Sequence, residues 1–460
     1  MANALRAGTA RVDITPPLTI PYLGYVPRHA FFEGVHDPLY ARALVVEDGT
    51  TQAALIAADS IGYSNDLLGP GRHFTAELRQ RVEAQCGIPA AHVMLTATHA
   101  HSTPETLNIR RLRDHPAAGP WLETLLDQLA SAVALASRRR REVTLKVGTV
   151  EAEGIGFSRR ILGKDGRLYH ARNHPPPEEI ADWGAMDPQA GVFLFQAADG
   201  SGCDVLLHFT AHPVTVQVQP LISADYPGVA TGLVEQTLRG SCCLFTQGAS
   251  GSINPVRNTT DFDDVWRYGL TLAGAALQAI GRMSAPDYPV QPARVAVASA
   301  HLSLPRRPLP DRAPIQAQYD EFQRRIEAAD DPEEKNRLRH QQRLLEETLV
   351  LIDFGTAPLE AEVQVLRLGN VALVGLPGEP FCELGLQIKR GAGGDQGVPG
   401  VEQAFCVGYA NGWLGYLAPR PAWEQGGYEV SPGPWSLVGP GGAEACVEAG
   451  LALVEELWRR

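Results

Sequence analysis

The stretch of sequence that best indicates the fold reads Val93-Met94-Leu95-Thr96-Ala97-Thr98-His99-Ala100-His101-Ser102-Thr103-Pro104. Its first six residues are typical of a buried β-strand, and two histidines follow, one residue apart. If the extended conformation persists, the side chains of His99 and His101 point to the same side. Neutral imidazoles are common ligands of zinc and similar ions. The pattern therefore favours half of a metal site, although two ordinary polar histidines at a strand end give the same sequence.

Composition and charge limit the classes of function. The chain has 460 residues, of which 44% are hydrophobic and 20% charged, as is usual for a folded globular protein of one large or two fused domains. With 40 basic and 52 acidic residues, its formal net charge is −12. Because nucleic-acid binding depends on basic patches, a nucleic-acid partner is not expected.

Targeting signals and cysteine content indicate the cellular compartment of a protein. The first residues contain no apolar core of signal-peptide length, and no apolar run is long enough to span a bilayer. The seven cysteines are odd in number and form no Cys-x-x-Cys pattern. These features predict a cytoplasmic protein with free thiols and without stable membrane insertion.

Extended runs and helical stretches alternate along the chain, which predicts a mixed α/β fold. We expect a β-sheet core flanked by helices, with long active-site loops, among them residues 158–190. Asp48-Gly49 predicts a hairpin turn between two strands. Residues 311–352 are charged and helical and break near Asp331-Pro332, where Asp331 is expected to cap a second helix. This segment predicts an exposed helical hairpin inserted between two halves of the sheet system.

Further candidate ligands lie where other predicted strands end. His208 and His212 flank one strand end, and Pro213 biases His212 away from the helical region. Glu379 follows a strand and a Pro-Gly turn, and Tyr416 lies in a glycine-rich stretch. Each has an ordinary structural explanation when taken alone. Together they are the kind of residues from which a sheet-based active site is built.

These stretches resemble a known family. In order along nearly the whole chain, the matching segments are Gly8–Pro17, Gly34–Leu44, Thr96–Ser102, Ser223–Gly228, Gln247–Pro255, Leu376–Glu379 and Tyr416–Tyr428. They are similar to the catalytic domain of neutral (non-lysosomal) ceramidases and their bacterial relatives, which are zinc amidohydrolases. The resemblance implies a single ceramidase-like catalytic domain over residues 1–460, with 311–352 as an insertion. It leaves no room for the immunoglobulin-like C-terminal domain of the true ceramidases.

The resemblance also implies a ligand set and a set of residues around the substrate. One zinc ion per chain would be held by His99, His212, Glu379 and Tyr416. The catalytic residues would be His101, which faces the substrate beside the metal, and Tyr428. Substrate would be bound by Arg159, for which Arg160 is an alternative, and by Asn254. Asn254 stands where the family has a serine, so it cannot be a nucleophile, although its amide can donate a hydrogen bond.

The function that this resemblance implies is hydrolysis of an amide C–N bond in an N-acyl amine by a zinc-activated water. His101 would carry the proton to the leaving nitrogen, and Tyr428 would stabilise the oxyanion. The expected partner is a small-molecule amide, and the oligomeric state stays open. The alternatives are an esterase or lactonase with the same zinc site, a hydrolase that uses manganese or iron, and a non-catalytic binding protein that keeps the fold.

Overall fold

The computed structural model describes residues 4–22, 30–170, 173–394 and 396–459. In chain order, the helices are α1 Phe74–Cys86, α2 Ala118–Arg138, α3 Asp225–Thr237, α4 Phe262–Met283, α5 Arg312–Ala328, α6 Pro332–Asp353, α7 Cys382–Ala392, α8 Arg420–Gln425 and α9 Gly442–Arg459. The strands are β1 Arg6–Asp13, β2 Gly34–Val35, β3 Tyr40–Glu47, β4 Gln52–Ala58, β5 Val93–Ala97, β6 Arg141–Glu151, β7 Gly156–Ser158, β8 Ile161–Gly163, β9 Leu168–Tyr169, β10 Ile180–Asp182, β11 Gln189–Ala197, β12 Cys203–Phe209, β13 Leu221–Ile222, β14 Cys243–Gln247, β15 Ile253–Pro255, β16 Val295–Leu304, β17 Leu359–Leu368, β18 Val371–Gly375, β19 Glu379–Pro380, β20 Gln403–Val407 and β21 Tyr416–Leu417.

Two large sheets organise these elements. The first has the strand order β14-β12-β11-β6-β1-β3-β4-β5 and is antiparallel except for the parallel pairs β12–β14 and β4–β5 at its edges. The second has the order β16-β17-β18-β20, with β18 and β20 parallel. The predicted mixed α/β fold, a sheet core flanked by helices, is confirmed.

Both faces of the large sheet are buried. In β4, Ala53 and Leu55 face a core shared with the four-stranded sheet, whereas Ile56 belongs to the core that α1 and α2 cover. Contact between the sheets is close, since the rings of Phe193 in β11 and Phe405 in β20 lie 5.4 Å apart. This burial explains why the strands read as nearly continuous apolar runs.

The predicted turn at Asp48-Gly49 joins β3 and β4, and Gly49 has a φ of 86°. The side chain of Asp48 accepts hydrogen bonds from the backbone N–H groups of Thr50 and Thr51, at 2.9 and 2.8 Å. An aspartate that bonds its own turn in this way stabilises the reversal locally. The hairpin prediction is therefore confirmed.

The helical hairpin is present as α5 and α6. Asp331 caps α6 by accepting from the N–H groups of Glu333 and Glu334, and Pro332 occupies the first turn, as predicted. The position differs from the prediction, because the hairpin lies between β16 and β17, which are neighbours in one sheet. The burial differs too, since the last turns of α6 are partly buried and Glu347 contacts Arg110 of the loop after β5. The sequence pattern does not predict that contact because it depends on distant residues.

The segment 158–190 is more ordered than the expected loop. Strands β8, β9 and β10 form a small sheet there, in the order β10-β8-β9, and β7 pairs with β15. These strands have two or three residues each, too few to give a detectable alternation of apolar and polar side chains. Residues 171 and 172 lie outside the described residues.

Two findings concern the cysteines and the helices. All seven cysteines are free thiols. Within the described ranges, no helix combines the length and the apolar composition that crossing a bilayer requires.

Candidate metal centre

The two histidines that follow β5 meet through a turn. The strand ends at Ala97, and His99 has a φ of 68°, in the left-handed region that non-glycine residues rarely adopt. Its N–H donates to the Ser60 carbonyl at 2.8 Å. The Nε2 atoms of His99 and His101 lie 3.0 Å apart. The two imidazoles lie close together, as predicted, but a turn brings them together and not the alternation of side chains along a strand.

Loops from three strand ends converge on this pair. His212 follows β12, and Glu379 begins β19 after β18. The Oε2 atom of Glu379 lies 3.1 Å from Nε2 of His212 and 3.4 Å from Nε2 of His99. Backbone hydrogen bonds hold the loops together, from the His101 N–H to the Pro213 carbonyl and from the Gly251 N–H to the Pro380 carbonyl. Three of the four predicted ligands therefore surround one buried point.

The outer nitrogen of each of two histidines is bound to the main chain. Nδ1 of His99 lies 2.5 Å from the Ile61 carbonyl oxygen, and Nδ1 of His212 lies 2.6 Å from that of Ser250. Because a carbonyl only accepts, Nδ1 carries the proton and Nε2 presents a lone pair to the centre. Both of these nitrogen atoms then lie within 3.4 Å of Oε2 of the Glu379 carboxylate. A cation or a proton must relieve their repulsion, so the donor set fits a metal ion.

Burial also sets the protonation state of the cluster. It lowers the pKa of His212 to about 4 and, together with the neighbouring histidines, that of His101 well below its ordinary value. Burial alone raises the pKa of Glu379, but His99 and His212 outweigh it and hold that pKa well below its usual range. Neutral imidazoles beside an ionised carboxylate are the forms that bind a divalent cation.

Tyr416 is positioned by strand pairing. It is the register partner of Glu379, since β19 and β21 are parallel and these two residues face each other across the ladder. Its ring is buried, and the guanidinium carbon of Arg159 lies 5.2 Å from the ring centroid. The predicted fourth ligand thus lies directly beside a predicted ligand.

The histidines also form a group among themselves. One ligand atom from each of His99, His101 and His212 lies within 4.8 Å of the others, which is close enough for the three to hold an ion together. His208, in contrast, is a core residue, because its ring packs 5.2 Å from Phe405 and its Nδ1 lies 3.2 Å from Thr246 Oγ1. His101 is therefore near enough to be either a ligand or a neighbour of the metal.

Two aromatic residues lie at the centre although the sequence pattern does not indicate them. Tyr409 stacks on the His99 ring at 4.0 Å, and Trp413 Nε1 donates to Glu379 Oε1 at 2.9 Å. Both lie in the glycine-rich stretch before Tyr416. The sequence indicates only Tyr416 there as a candidate, because nothing in the spacing shows which aromatic side chains turn inward.

Of the two candidate arginines, Arg159 is the one that contacts the centre. Its Nη1 donates to Asn254 Oδ1 at 3.2 Å, and its Nη2 donates to the Gly251 carbonyl at 2.6 Å. Arg160 turns away and bonds the Gly426 carbonyl at 2.8 Å. Both guanidinium groups share the buried carboxylate of Glu429, at 2.8 and 2.6 Å. Glu429 therefore fixes the pair, and no motif in the sequence indicates it.

Replacing Glu429 with Gln is expected to lower the free energy of unfolding by about 3 kcal/mol, because two buried guanidinium groups lose their counter-charge. Burial raises the pKa of Glu429, but Arg159 and Arg160 outweigh it and hold the pKa below its ordinary value. Its contribution is therefore fully present above the unfolded pKa of about 4.3 and is lost as the pH falls through the folded pKa.

Urea unfolding of wild type and Glu429→Gln between pH 3 and pH 7 measures this effect. The difference in stability should be largest near neutrality and should shrink below pH of about 4. The exposed neighbour Glu424 provides the control, since Glu424→Gln should leave stability unchanged. A constant difference across the range would show that the ion pairs do not carry the effect.

A cavity leads from the cluster to α6. We call this space of about 400 Å³ the hairpin cleft, and we name the part beside His101 and Tyr428 its inner end and the part beside α6 its outer end. Tyr428 is 44% exposed, and its ring stacks on Trp435 at 4.6 Å and lies 6.1 Å from Tyr416. The predicted catalytic residues thus face one cavity beside the candidate metal site.

Comparisons with known proteins identify the family. The family model "neutral/alkaline non-lysosomal ceramidase, N-terminal" matches residues 5–257. The chain is 23% identical over 482 residues to the neutral ceramidase of Pseudomonas aeruginosa, covering 94% of this chain and 70% of that protein. Over 138 residues it is 28% identical to the neutral ceramidase of Drosophila melanogaster, covering 29% of this chain and 18% of that protein.

The fold agrees as well. The crystal structure of the Pseudomonas aeruginosa neutral ceramidase superposes with a TM-score of 0.73 at 20% identity, over 99% of this chain and 75% of that one. The resemblance drawn from the motifs, and the prediction of a hydrolytic enzyme with it, are confirmed at the level of the family. More than half of the chain matches the family model, so this protein belongs to the neutral/alkaline non-lysosomal ceramidases.

Proposed function

We propose that this protein is a zinc-dependent hydrolase that cleaves the amide C–N bond of an N-acyl amine, in one catalytic domain over residues 1–460. The observation that carries the proposal is that Nε2 of both His99 and His212 lies within 3.4 Å of Glu379 Oε2, at a buried point beside a cleft. The Pseudomonas relative bears the name neutral ceramidase, which makes an acyl amide the natural substrate class.

The metal would be held by His99, His212, Glu379 and Tyr416. Two imidazoles and a carboxylate are a usual donor set for catalytic zinc, and the Nδ1 bonds to main-chain carbonyls supply the outer shell that such ligands need. When bound, zinc supplies Lewis acidity toward a carbonyl and lowers the pKa of water. Manganese and iron accept similar donors, so metal analysis must decide the identity of the ion.

Two residues of the chain would handle protons and charge. His101 faces the cleft with a neutral ring at pH 7, so it can accept a proton and pass it to the leaving nitrogen. Tyr428 lines the same end of the cleft, where its hydroxyl can donate a hydrogen bond to the oxyanion that develops on the carbonyl. Both side chains act from fixed positions, which lowers the cost of reorganisation during the reaction.

Arg159 and Asn254 would orient the substrate. Because Asn254 Oδ1 accepts from Arg159, the amide nitrogen of Asn254 is the atom that we assign as a donor to the substrate. Arg159 is held on its other side by Glu429 and packs on the Tyr416 ring. The arginine would therefore act largely by fixing Tyr416 and Asn254 in place.

Metal content and turnover test the proposal together. Purified protein should contain about one zinc per chain by elemental mass spectrometry. It should hydrolyse at least one member of a panel of N-acyl amines with acyl chains from two to sixteen carbons. Removal of the metal with a chelator should lower kcat by about 100-fold or more, and added zinc should restore it.

Other outcomes would favour one of the alternative functions or contradict the proposal. Hydrolysis of esters or lactones without any amide would favour the esterase alternative, and recovery with manganese or iron alone would change the metal. Amide hydrolysis that survives complete removal of the metal would contradict the proposal. Tight binding of acyl amides without turnover by the metal-loaded protein would favour a binding protein.

A further inference from the structure

We infer that the substrate carries a carboxylate group remote from the scissile amide, which Arg343 and Arg110 bind at the outer end of the hairpin cleft. The inference rests on the proposed function and adds a substrate class to it. It comes from α6, the helix that the sequence pattern placed in an exposed hairpin. In the structure, this helix forms a wall of the cleft.

The cleft has apolar walls between its two ends. Ile61 and Ile109 contribute to one side, and Leu344 of α6 and Trp435 contribute to others. Leu344 is 50% exposed, an unusual exposure for a leucine that borders a cavity. An apolar segment of a ligand that covered these side chains would remove them from water. The walls therefore suit an acyl or alkyl segment that extends from the metal centre toward α6.

Among the described residues of α6 and the loop after β5, two guanidinium groups share one carboxylate at the outer end. The Glu347 carboxylate is only 4% exposed, and its Oε1 lies 3.1 Å from Nη2 of Arg110 and 3.5 Å from Nε of Arg343. The arginines are 15% and 31% exposed, so neither is a freely solvated surface charge. One carboxylate balances one guanidinium, which leaves an excess positive charge in a half-buried place. Guanidinium groups bind carboxylates strongly because their N–H groups match both oxygens.

The other acidic group of the cleft does not cancel this charge. Glu105 directs its carboxyl group to the backbone, where it accepts from the N–H groups of Ile109 and Arg110 at 3.2 and 2.8 Å. Burial also raises the pKa of Glu105 to about 8, which favours its neutral form at pH 7. His101 lies at the inner end and His340 at the rim. Among the described residues, the balance of formal charges at the α6 end is therefore positive.

The positions of these groups define the substrate. The metal centre adjoins His101 and the two cations adjoin α6, so the expected substrate has an apolar spacer between its amide and its anionic group. An N-acylated ω-amino acid and the half-amide of a long dicarboxylic acid both have this form. A neutral amide with two apolar limbs would leave the excess charge of Arg343 and Arg110 uncompensated in a partly desolvated place.

Two matched pairs of substrates test the inference. N-octanoyl-6-aminohexanoic acid is compared with its terminal carboxamide, and suberic acid monoanilide with octanoic acid anilide, so that the remote charge lies on the amine limb in one pair and on the acyl limb in the other. The metal-loaded protein should prefer the anionic member of at least one pair by about tenfold in kcat/KM. Arg343→Gln should reduce that ratio to near one, and Arg343→Lys should keep part of it. Arg339→Gln, an exposed change on the same helix, should leave the ratio unchanged.

The outcomes separate the inference from the function on which it rests. Equal or better turnover of the neutral members, or a preference unchanged in Arg343→Gln and in Arg110→Gln, overturns the inference while amide hydrolysis stands. Failure to hydrolyse any of the four amides counts against the proposed function instead. In that case calorimetric binding of N-octanoyl-6-aminohexanoic acid and its terminal carboxamide decides, because a preference that Arg343→Gln abolishes supports the inference and equal affinities overturn it.

Discussion

Replacing His99 with asparagine is expected to release the metal and to lower kcat/KM by about 10³-fold or more, which corresponds to ~4 kcal/mol of transition-state stabilisation. The reason is geometric, because His99 Nε2 is one of the atoms that converge on Glu379 Oε2, and its Nδ1 is already bound to a carbonyl. Without that imidazole, the remaining donors no longer surround the ion.

The choice of asparagine follows from the backbone. His99 has a φ of 68°, which asparagine tolerates better than alanine does. Alanine would add a backbone penalty on top of the lost ligand, so His99→Ala would mix a folding defect with a metal defect. Comparison of the two variants separates these effects. His99→Asn should keep more of the thermal stability of the metal-free wild type than His99→Ala does.

Elemental mass spectrometry after dialysis against metal-free buffer measures the number of zinc ions per chain, which decides the assignment. The wild type should retain about one zinc per chain and His99→Asn close to none. His301→Ala removes an exposed histidine from β16 and should behave as the wild type does. Stoichiometric metal in His99→Asn would refute the ligand assignment.

How far the sequence predicts this site depends on how local each signal is. Strand ends beside glycine and proline mark His99, His212 and Glu379, because β5, β12 and β18 lie next to parallel partners and their loops gather at one place. The cap at Asp331 and the turn at Asp48 are equally local, and both were predictable. Each of these features can be predicted from residues that are close together in the sequence.

The remaining features require contacts between distant segments. Glu429 forms an ion pair with Arg159, although the two residues are 270 positions apart in the sequence. No pattern around either residue indicates the other. Trp413 and Tyr409 turn toward Glu379 and His99 only because β18 and β20 lie side by side. The wall that α6 gives to the cleft likewise depends on the bridge from Glu347 to Arg110. Periodicity describes a face of one element and does not say which surface meets it.

The left-handed turn at His99 shows that even a local conformation can be missed from the sequence. Strand alternation and a turn both bring residues i and i+2 together, so the sequence could predict the pairing without its cause. The difference has chemical consequences. In the turn, the rings of His99 and His101 are perpendicular with centroids 4.6 Å apart. His99 Nε2 lies 3.4 Å from Glu379 Oε2, whereas His101 lines the hairpin cleft. The two histidines therefore have unequal positions, and we assign them unequal roles.

Replacing His101 with alanine is expected to leave the metal in place and to lower kcat by about 10² to 10⁴-fold. His101 lines the hairpin cleft, whereas His99 and His212 both reach the Glu379 carboxylate. A proton carrier that acts only in the transition state changes kcat, so KM should shift by no more than a few-fold. Zinc analysis and steady-state kinetics on one preparation measure both quantities.

The result also decides between two ligand sets. His99, His101 and His212 lie close enough to hold an ion without Glu379 or Tyr416. If His101→Ala loses zinc as completely as His99→Asn does, the three histidines are the ligands, and another group must carry the proton. If zinc stays and the rate falls, His101 acts on the substrate, and Glu379 completes the metal site. His301→Ala serves again as the control, since its metal and its rate should both match the wild type.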